Sequence, residues 1–435
     1  MTGGLVIEDF DLIVAGAGPA GSAAALAARR MAPGSGVLLL DKAAFPRDKA
    51  CGDGLAPHGV DELRRLGALG VLRGIRPVRR LRLRAPSGRE VAADCARDNW
   101  VVPRRVLDAR LVDAAVAAGA ELRLERVRSL TDTGAHVVVN GRYRARAVIG
   151  ADGANSSVRR LAGLPMHRLR DLAIAVRGYA AAPDGEPEQY IGWVADGWPA
   201  YAWSFGLGGP TPGRANVGFG LLRSRFGGDR RELHGRLVQV LPGLELEPGS
   251  LRAHHLPLAT ARPQAGRGRV LLAGDAASLI NPLSGEGIYY ALVSGRLAAT
   301  AALGDQGAGT GLGQLDEAGQ GAGRTPAPVD PTGAHALGRP PGNEASAPAG
   351  RRGRRHLLPP AAAYARALRA ELGHHRAHVR AAALAIKAPA VVEAGVTAAR
   401  RSGPVFDALV ELGLGRGTIT PRLAAGLAGG LIARA

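Results

Sequence analysis

Apolar residues near the start of the chain follow the order strand, helix, strand. FDLIVAG (10–16) has the pattern of a buried strand, PAGSAAALAARR (19–30) that of a tightly packed helix, and GVLLLDK (36–42) that of a second strand. This order predicts the opening βαβ unit of a parallel sheet. Further along, RAVIGADG (146–153) predicts another buried strand that ends in a turn.

The pattern of apolar and polar residues changes in the middle of the chain. Helical spacing is found at 60–70 and 104–119, and strand-like alternation at 79–94 and 121–150. From about 165 to 260, Tyr, Trp, Phe and Gly cluster in short runs such as PAYAWSFGLG and ANVGFGLL, which is typical of a mostly antiparallel sheet in a second domain.

The last third returns to helices. GRVLLAGDAA (268–277) predicts a buried strand, and residues 285–303 a helix. Residues 304–353 are rich in Gly, Ala and Pro without periodicity, so we expect a disordered insertion there. From 361 onward the pattern is helical, with breaks at Gly403-Pro404 and at GRGTITP (415–421).

The first candidate for chemistry is GAGPAG, with Gly16, Gly18 and Gly21 between the predicted first strand and helix. Gly16 permits the tight turn, Gly18 lets a pyrophosphate approach the helix N-terminus, and Gly21 allows close packing of helix and strand. Asp41 ends the next strand, where an acid binds a ribose hydroxyl. These features predict an adenine dinucleotide site without separating NAD from FAD.

A second candidate lies in GDAASLINPLSGEG (274–287). Asp275, at the end of a strand, can accept a hydrogen bond from a sugar-alcohol chain, and the following helix N-terminus can stabilise negative charge on a reduced flavin ring. The alternative reading is an ordinary strand-to-helix turn with a capping Asp.

Composition and charge narrow the class of ligand. The formal charge of +19 comes almost entirely from arginine, since lysine occurs only at Lys42, Lys49 and Lys387. A basic protein attracts anions, and with no nucleic-acid motif in the chain we expect diphosphate-bearing ligands or a membrane surface, and no nucleic acid. Only 4% of residues are aromatic, so Ala, Val and Leu must build the core.

Cysteine and histidine usage argues against other site types. Cys51 and Cys95 are the only cysteines, which gives no disulfide framework and suits a reducing cytosol. The one histidine cluster, His374, His375 and His378, falls in a polar helical stretch. His374 and His378 can share a helix face, and we expect that face to be solvated and to bind no metal. Acids before and arginines after residues 12–28 speak against a secretory signal.

In this order, the glycine turn, Arg104, GADGANSSVRR (150–160) and GDAASLINPLSGEG resemble the para-hydroxybenzoate hydroxylase-like flavoproteins. Within that superfamily, FPRDKACGDGL (45–55) and YAWSF…NVGFG resemble the geranylgeranyl reductase family, with the menaquinone isoprenyl reductases of actinobacteria as its nearest members. The resemblance covers about residues 9–300 and, more loosely, the helical C-terminus.

The resemblance implies an α/β fold: a Rossmann-like FAD-binding domain with an inserted, mostly antiparallel β substrate domain and a helical C-terminus. The FAD-binding domain would be formed by 1–80, 98–163 and 262–303, and the substrate domain by 81–97 and 164–261. Residues 354–435 would form the helical region after the insertion.

The resemblance also implies roles for single residues. The glycine turn would hold the FAD pyrophosphate, Asp41 the ribose and Asp275 the ribitol. Arg104, in an R-x-x-L-D pattern, would reach the FAD phosphates; the alternative is a solvated arginine at a helix start, and Arg105 is its neighbour. The remaining predicted cofactor-binding residues are Lys42, Cys51, Gly52, Asp152, Gly153, Gly274, Gly285 and Gly287.

The implied substrate cavity carries the catalytic candidates. Tyr201, Trp203, Phe205, Asn216, Gly218 and Gly220 match an aromatic wall of the family's lipid cavity, while Gly206 stands where the family has proline. Phe205 reads equally well as sheet core. Catalytic roles are predicted for Cys51, Tyr201 and Trp203, with packing beside the flavin as the alternative for Cys51.

The reaction implied is reduction of carbon–carbon double bonds in a polyprenyl chain, such as an isoprenoid lipid or menaquinone, by hydride from flavin N5. The electron donor, NAD(P)H or another reductant, stays open, because no separate nicotinamide motif is visible. The alternatives are an FAD-dependent aromatic hydroxylase or monooxygenase and a non-catalytic FAD-binding protein; a halogenase would need a lysine in a tunnel and a Trp-x-Trp motif. We expect a cytoplasmic monomer, peripherally associated with the inner face of the membrane.

Overall fold

The computed structural model describes residues 6–182, 186–208, 213–304 and 358–432. Residues 305–353 of the predicted insertion lie outside the described residues. The described chain folds into two sheets and a set of α-helices, most of which pack on the first sheet or form the C-terminal region.

The strands, in chain order, are β1 (Glu8–Ala15), β2 (Val37–Asp41), β3 (Gly54–Leu55), β4 (Val78–Arg84), β5 (Glu90–Val101), β6 (Glu121–Leu124), β7 (Leu130–Asp132), β8 (Val137–Val139), β9 (Tyr143–Gly150), β10 (Leu172–Ala181), β11 (Glu188–Val194), β12 (Ala200–Gly206), β13 (Arg214–Leu222), β14 (Arg252–Pro257), β15 (Gly266–Arg267) and β16 (Val270–Leu272). The α-helices are α1 (Pro19–Met31), α2 (Pro57–Arg65), α3 (Arg104–Ala117), α4 (Ser157–Leu161), α5 (Arg230–Val240), α6 (Ile288–Leu303), α7 (Pro360–Ala385), α8 (Pro389–Arg401), α9 (Gly403–Leu414) and α10 (Pro421–Ile432).

The first sheet has the order β15-β16-β9-β1-β2-β6, and the β7–β8 hairpin extends it through β8, which pairs with β9. β1 runs parallel to both β2 and β9, and β16 runs parallel to β9. All five residues of β2 and the last four of β1 are buried, as the unbroken apolar runs predict for a parallel sheet covered on both faces. This architecture confirms the predicted α/β class.

The second sheet has the order β14-β10-β13-β12-β11-β4-β5-β3. All its pairs are antiparallel except β11 with β4, so the expected mostly antiparallel sheet is present. β4 and β5 reach Val78 and Val101, a few residues beyond the boundaries 81 and 97 set from the sequence. Helix α5, which the sequence pattern did not single out, packs Leu233 and Leu237 against this sheet.

The C-terminal region has one more break than predicted. Helix α7 ends at Ala385 and α8 begins at Pro389, because proline lacks the N–H that a continuing helix would need and disfavours helical geometry in the residue before it. Within the described residues no single helix is long and apolar enough to span a membrane. Helices α7 and α8 reach that length and apolarity only as a pair, and the chain bends by 113° between them.

Helices α1 and α6 pack closely at a glycine. A methyl group on Gly295 of α6 would lie 3.0 Å from the Ala20 carbonyl carbon and 3.1 Å from the Ala24 nitrogen, both backbone atoms of α1. Backbone cannot move aside as a side chain can, so this position requires glycine. The contact fixes α6, and with it the loop before α6, against the glycine turn that opens α1.

We expect Gly295→Ala to lower the free energy of unfolding by about 1–2 kcal/mol, because overpacking outweighs the gain of about 0.5–1 kcal/mol in helix propensity. Gly235 is the matched control: it lies exposed inside α5 with no atom within 4 Å of the added methyl. Gly235→Ala should raise the stability. Urea unfolding of both variants measures the difference, and equal stabilities would contradict the packing argument.

Candidate cofactor and substrate site

The turn between β1 and α1 forms a cradle for an anion. Gly16 has φ +99°, a conformation open to glycine, and a methyl on Gly21 would overlap the Gly16 carbonyl. Gly18 is different, since a methyl there would meet only two guanidinium nitrogens: Arg47 Nη2 at 3.7 Å and Arg104 Nη2 at 3.8 Å. No side chain caps the N-terminus of α1. Two cations and a helix N-terminus therefore converge on one space.

Both arginines are held in place by acids. Arg104 is 4% exposed, and its Nε and Nη2 donate to the two carboxylate oxygens of Asp108 at 2.6 and 2.8 Å. Arg47 reaches Asp41 at 3.4 Å and Asp108 at 3.5 Å. Arg105 is exposed. Of the two readings of this helix start, the solvated one is wrong for Arg104. Arg47 was missed, because no sequence pattern pointed to it.

Asp41 is buried at the end of β2. Its Oδ2 accepts from Ala17 N at 2.8 Å and its Oδ1 from Ala43 N at 3.0 Å, so the carboxylate already fixes the glycine turn. Lys42 next to it is exposed. The assignments of Asp41 to ribose and of Lys42 to the cofactor stay predictions.

The Asp152 carboxylate accepts hydrogen bonds from the start of α4, the helix that follows it. It accepts from Ser156 Oγ, from Ser157 N at 2.6 Å and from Val158 N at 3.1 Å, which satisfies the first amides of α4. Gly153 has φ +82°, and a methyl group added to Gly153 would lie 3.9 Å from Lys49 Nζ. Asp152 thus shapes the turn beside the cofactor region, and a direct contact with the cofactor stays a prediction.

Asp275 forms an ion pair with Lys49, with 3.0 Å between Asp275 Oδ2 and Lys49 Nζ. Burial raises the pKa of its carboxyl, but the Lys49 charge and hydrogen bond outweigh burial, so the pKa lies below its ordinary value. Gly274 precedes it and donates its N–H to Ser294 Oγ of α6 at 2.9 Å. A carboxylate is thereby held ionised, able to accept further hydrogen bonds from hydroxyl groups.

Asp53 links the second sheet to the start of α3, and sequence reasoning missed it. Its buried carboxylate accepts from Tyr179 Oη at 2.6 Å, from Asn216 Nδ2 at 2.8 Å and from Arg104 N at 3.2 Å. Asn216 Nδ2 also donates to the Cys51 carbonyl at 2.8 Å. The only available signal was the acid within CGDGL, and its partners lie more than fifty positions away along the chain.

An aromatic row crosses the second sheet on β12. Tyr201, Trp203 and Phe205 share one face, with ring centroids 6.0 and 6.4 Å apart. Trp203 Nε1 donates to Asn216 Oδ1 at 2.9 Å, and Tyr201 Oη donates to the Ser284 carbonyl at 2.7 Å. The row thus runs from the loop before α6 to the CGDGL segment.

A cavity of about 1380 Å³, open solvent included, lies between this row and the loop 282–287. Cys51, Gly52, Tyr201 and Trp203 all line it, as does Phe205. The three predicted catalytic residues therefore line one cavity. Gly285 and Gly287 line it too, in the loop that faces the aromatic row. A second cavity of about 1020 Å³, again with open solvent included, shares Tyr201 and Trp193 with the first and continues among α7–α10.

Cys51 is a free thiol, half-buried at the cavity wall. Burial raises the pKa of its thiol, although the nearby Arg104 acts in the opposite direction. The Sγ accepts a hydrogen bond from Asp53 N at 3.3 Å. The thiol is thus protonated at neutral pH, and both of its predicted roles, packing and proton delivery, are compatible with this position.

Two further titratable groups of the cavity were missed. Burial raises the pKa of Glu286 to about 8, and its Oε1 accepts from Tyr289 N at 2.8 Å at the start of α6. Burial, followed by the charge of Lys49, lowers the pKa of His254 on β14 to about 4. At neutral pH Glu286 therefore holds a proton and His254 is uncharged.

His375 of the histidine cluster belongs to the protein core. This residue is buried, and its Nδ1 and Nε2 lie 2.7 Å from the Gly417 carbonyl and 2.6 Å from Tyr290 Oη. It therefore binds α7 to α6 and to the loop before α10. His374 is exposed, and its ring lies against that of His378.

The residues present fit FAD. The space above Gly18 is bordered by two fixed guanidinium groups, the arrangement that a pyrophosphate requires, and Asp275 offers an ionised acceptor for a polyol. The loop 282–287 leads into the N-terminus of α6, where negative charge on a flavin ring is stabilised.

Comparison with known proteins agrees with this fit. Residues 9–180 match the family model described as FAD binding domain. The menaquinone reductase of Mycolicibacterium smegmatis is 36% identical over 323 residues, which cover 66% of this chain and 75% of the relative. Digeranylgeranylglycerophospholipid reductase 2 of Methanopyrus kandleri is 33% identical over 317 residues, covering 67% and 76%.

The chain belongs to the geranylgeranyl reductase family of flavoproteins. It is an FAD-dependent oxidoreductase, as the resemblance implied. Among solved structures, a geranylgeranyl bacteriochlorophyll reductase-like protein from Thermoplasma acidophilum matches with a TM-score of 0.70 at 20% identity, covering 93% of this chain and 96% of that one. A flavin-dependent halogenase matches with a TM-score of 0.58 at 22% identity, covering 68% and 60%. These two likenesses concern the fold alone.

For this geranylgeranyl reductase family member, two glycines of one turn should behave differently. Gly18→Ala places a methyl in the anion space without touching protein, so we expect unchanged apoprotein stability and at least a tenfold higher Kd for FAD, since about 1.4 kcal/mol of lost contact suffices. Gly21→Ala should destabilise the fold itself. Flavin fluorescence titration and thermal unfolding of the apoproteins measure both; a Gly18→Ala variant with normal FAD affinity would contradict the cradle.

Proposed function

We propose that this protein reduces carbon–carbon double bonds of a polyprenyl chain, carried by an isoprenoid lipid or by menaquinone. The observation that carries the proposal is the apolar cavity between the aromatic row of β12 and the loop 282–287, continued by a second apolar cavity among the C-terminal helices. A long hydrocarbon chain matches such a space. The names of the relatives support the same substrate class for them.

When bound and reduced, FAD supplies the hydride for such a reaction. An isolated alkene carries no polar group by which to be activated, so orientation and exclusion of water must come from the protein. Tyr201 and Trp203 are fixed by their hydrogen bonds to Ser284 and Asn216, and so present rigid ring faces to the cavity. They position the chain against the loop of Gly285 and Gly287.

The second carbon of the alkene must receive a proton. Two groups in the cavity wall hold one at neutral pH: the Cys51 thiol and the Glu286 carboxyl. Cys51 lies beside the aromatic row and Glu286 in the facing loop. We assign the role of proton donor to Cys51.

The test is anaerobic reduction of the flavin followed by addition of geranylgeranyl diphosphate or a long-chain menaquinone. We expect flavin reoxidation that depends on the lipid, and a mass gain of about two daltons per reduced bond, as hydride plus proton requires. A product formed only with oxygen would overturn the proposal in favour of a hydroxylase.

In the same assay, Cys51→Ser should bind FAD normally and lose at least tenfold in turnover, because serine is a much weaker acid than a thiol. Cys95→Ser is the matched control, since Cys95 is buried among Leu81, Val91 and Phe406 and is not one of the described residues that line either cavity. Unchanged turnover of Cys51→Ser would assign the proton to another group and leave Cys51 a packing role.

We also propose that the protein acts as a cytoplasmic monomer at the inner face of the membrane. Helix α10 presents an apolar face with Arg422 as its single charge. The exposed residues of α10 are Pro421, Arg422, Ala424, Ala425, Ala428, Gly429, Leu431 and Ile432. Leu423 and Leu427 of the same helix line the second cavity, so a lipid has a short path inward.

Sedimentation with vesicles containing anionic lipid tests this placement. Leu431→Ser with Ile432→Ser should weaken vesicle binding about a hundredfold, because burying each of the two side chains contributes about 1.5 kcal/mol and every 1.4 kcal/mol is tenfold. The control is Leu169→Ser with Val238→Ser, two exposed apolar residues elsewhere on the surface. Equal binding of both double variants would contradict a docking role for α10.

A further inference from the structure

Glu286 places a carboxyl group at the start of α6. The residue stands between Gly285 and Gly287, in the loop that faces the aromatic row, and it lines the first cavity. Its Oε1 accepts from Tyr289 N at 2.8 Å, so it already satisfies one of the first amides of α6. The same helix N-terminus stabilises negative charge on a reduced flavin ring. An ionised Glu286 and a reduced ring therefore compete for one position.

No cation offsets a charge on Glu286. Among the described residues, no arginine, lysine or histidine forms an ion pair with it, and the charge that acts on it is that of another carboxylate, Asp275. Asp275 Oδ1 lies 3.8 Å from where a methyl group on Gly287 would stand. Because Asp275 is held ionised by Lys49, an ionised Glu286 is a second negative charge beside this helix start, and a reduced ring is a third.

The other titratable groups around Glu286 keep their charge near pH 8. Those that line the cavity or follow Glu286 in α6 are Cys51, Arg177, Tyr201, His254, Tyr289 and Tyr290. Burial raises the pKa of the thiol and of all three tyrosine hydroxyls, so these four groups stay protonated. Burial lowers the pKa of the imidazole to about 4, so it stays neutral, and the guanidinium is paired with Asp48.

Glu286 is therefore the group in this lining whose charge changes around pH 8, since burial raises the pKa of its carboxyl to about that value. A negative charge on the neighbouring ring disfavours the carboxylate further. The pKa of Glu286 is then higher in the reduced holoenzyme than in the oxidised one. By linkage, reduction takes up a proton at this carboxyl at any pH between the two values.

We propose that Glu286 couples reduction of the cofactor to protonation of its own carboxyl, so that the anionic reduced ring forms readily only while Glu286 is uncharged. Two electrons and one proton, from an external two-electron reductant, convert the oxidised ring to this anion. In the alkaline range a second proton goes to the Glu286 carboxylate. Glu286 thus controls the charge beside the ring, whereas the proton of Cys51 goes to the alkene. This inference goes beyond the proposed reaction, because it concerns how the cofactor is reduced.

A redox titration of the holoenzyme against a reference dye, over about three pH units upward from neutral, measures the coupling. Below about pH 8, where Glu286 is protonated in both states, each pH unit should shift the reduction equilibrium tenfold, which is about 30 mV for two electrons. Above about pH 8 each unit should shift it a hundredfold, about 59 mV, because a second proton is bound. Glu286→Gln, a neutral side chain of the same shape, should keep about 30 mV per unit throughout.

Glu245→Gln is the matched control and should titrate as the wild type does, because Glu245 is exposed and is not one of the described residues that line either cavity. A wild-type slope of about 30 mV per unit over the whole range overturns the inference, whether or not the glutamine variant retains FAD. A steeper alkaline slope that persists in Glu286→Gln also overturns it, since another group then takes the proton. Glu286→Ala, which removes the carboxyl altogether, repeats the test if the glutamine variant does not fold.

The titration contains no lipid, so it separates this inference from the proposed function. A holoenzyme that shows the predicted slopes but reduces no polyprenyl chain would overturn the proposed reaction alone. A holoenzyme that reduces such a chain with one constant slope would overturn this inference alone.

Discussion

One buried carboxylate, that of Asp53, sets the position of the cofactor region relative to the substrate sheet. Its three donors come from three separate elements: the start of α3, β10 and β13. Burial raises the pKa of Asp53 to about 6, against the charge of Arg177 and the hydrogen bonds from Tyr179 and Asn216. Asp53 also has φ +60°, so the CGDGL segment turns sharply at this residue. A single acid therefore fixes the segment that carries Cys51.

From Asp53 the constraint spreads through Asn216 and Arg104. Asn216 joins the Cys51 carbonyl and the Trp203 indole to the same carboxylate, so the thiol and the aromatic row keep one relative position. The backbone N–H of Arg104 donates to Asp53. The Arg104 side chain donates to Asp108 and borders the space above Gly18. The pyrophosphate cradle and the alkene cavity are thus parts of one hydrogen-bonded arrangement.

The opposite wall depends on the C-terminal helices. Asn281 Nδ2 and Ser284 Oγ donate to the Gly413 carbonyl at 3.0 and 2.6 Å, and Tyr290 bonds His375. The loop before α6 is therefore held from behind by the same helices that form the second cavity. Cofactor loop and lipid space are coupled, which suits a reaction whose substrate has no polar handle at the reacting bond.

Sequence patterns predicted those parts of the site that are local in the chain. The glycine turn, Asp275 and the alternating aromatics of β12 each follow from spacing or from a short motif next to a predictable element. Asp53 and His375 could not be predicted, because their hydrogen-bond partners lie 42 to 163 residues away along the chain. The break before Pro389 was a missed local signal of a familiar kind.

The most direct measurement is a crystal structure of the holoenzyme with a long-chain polyprenyl quinone. We expect a flavin ring against Gly285 and Gly287, and a lipid chain that runs along Tyr201 and Trp203 with a double bond between the flavin ring and the aromatic row. A chain bound outside this cavity, or a flavin ring turned away from the aromatic row, would contradict this expectation.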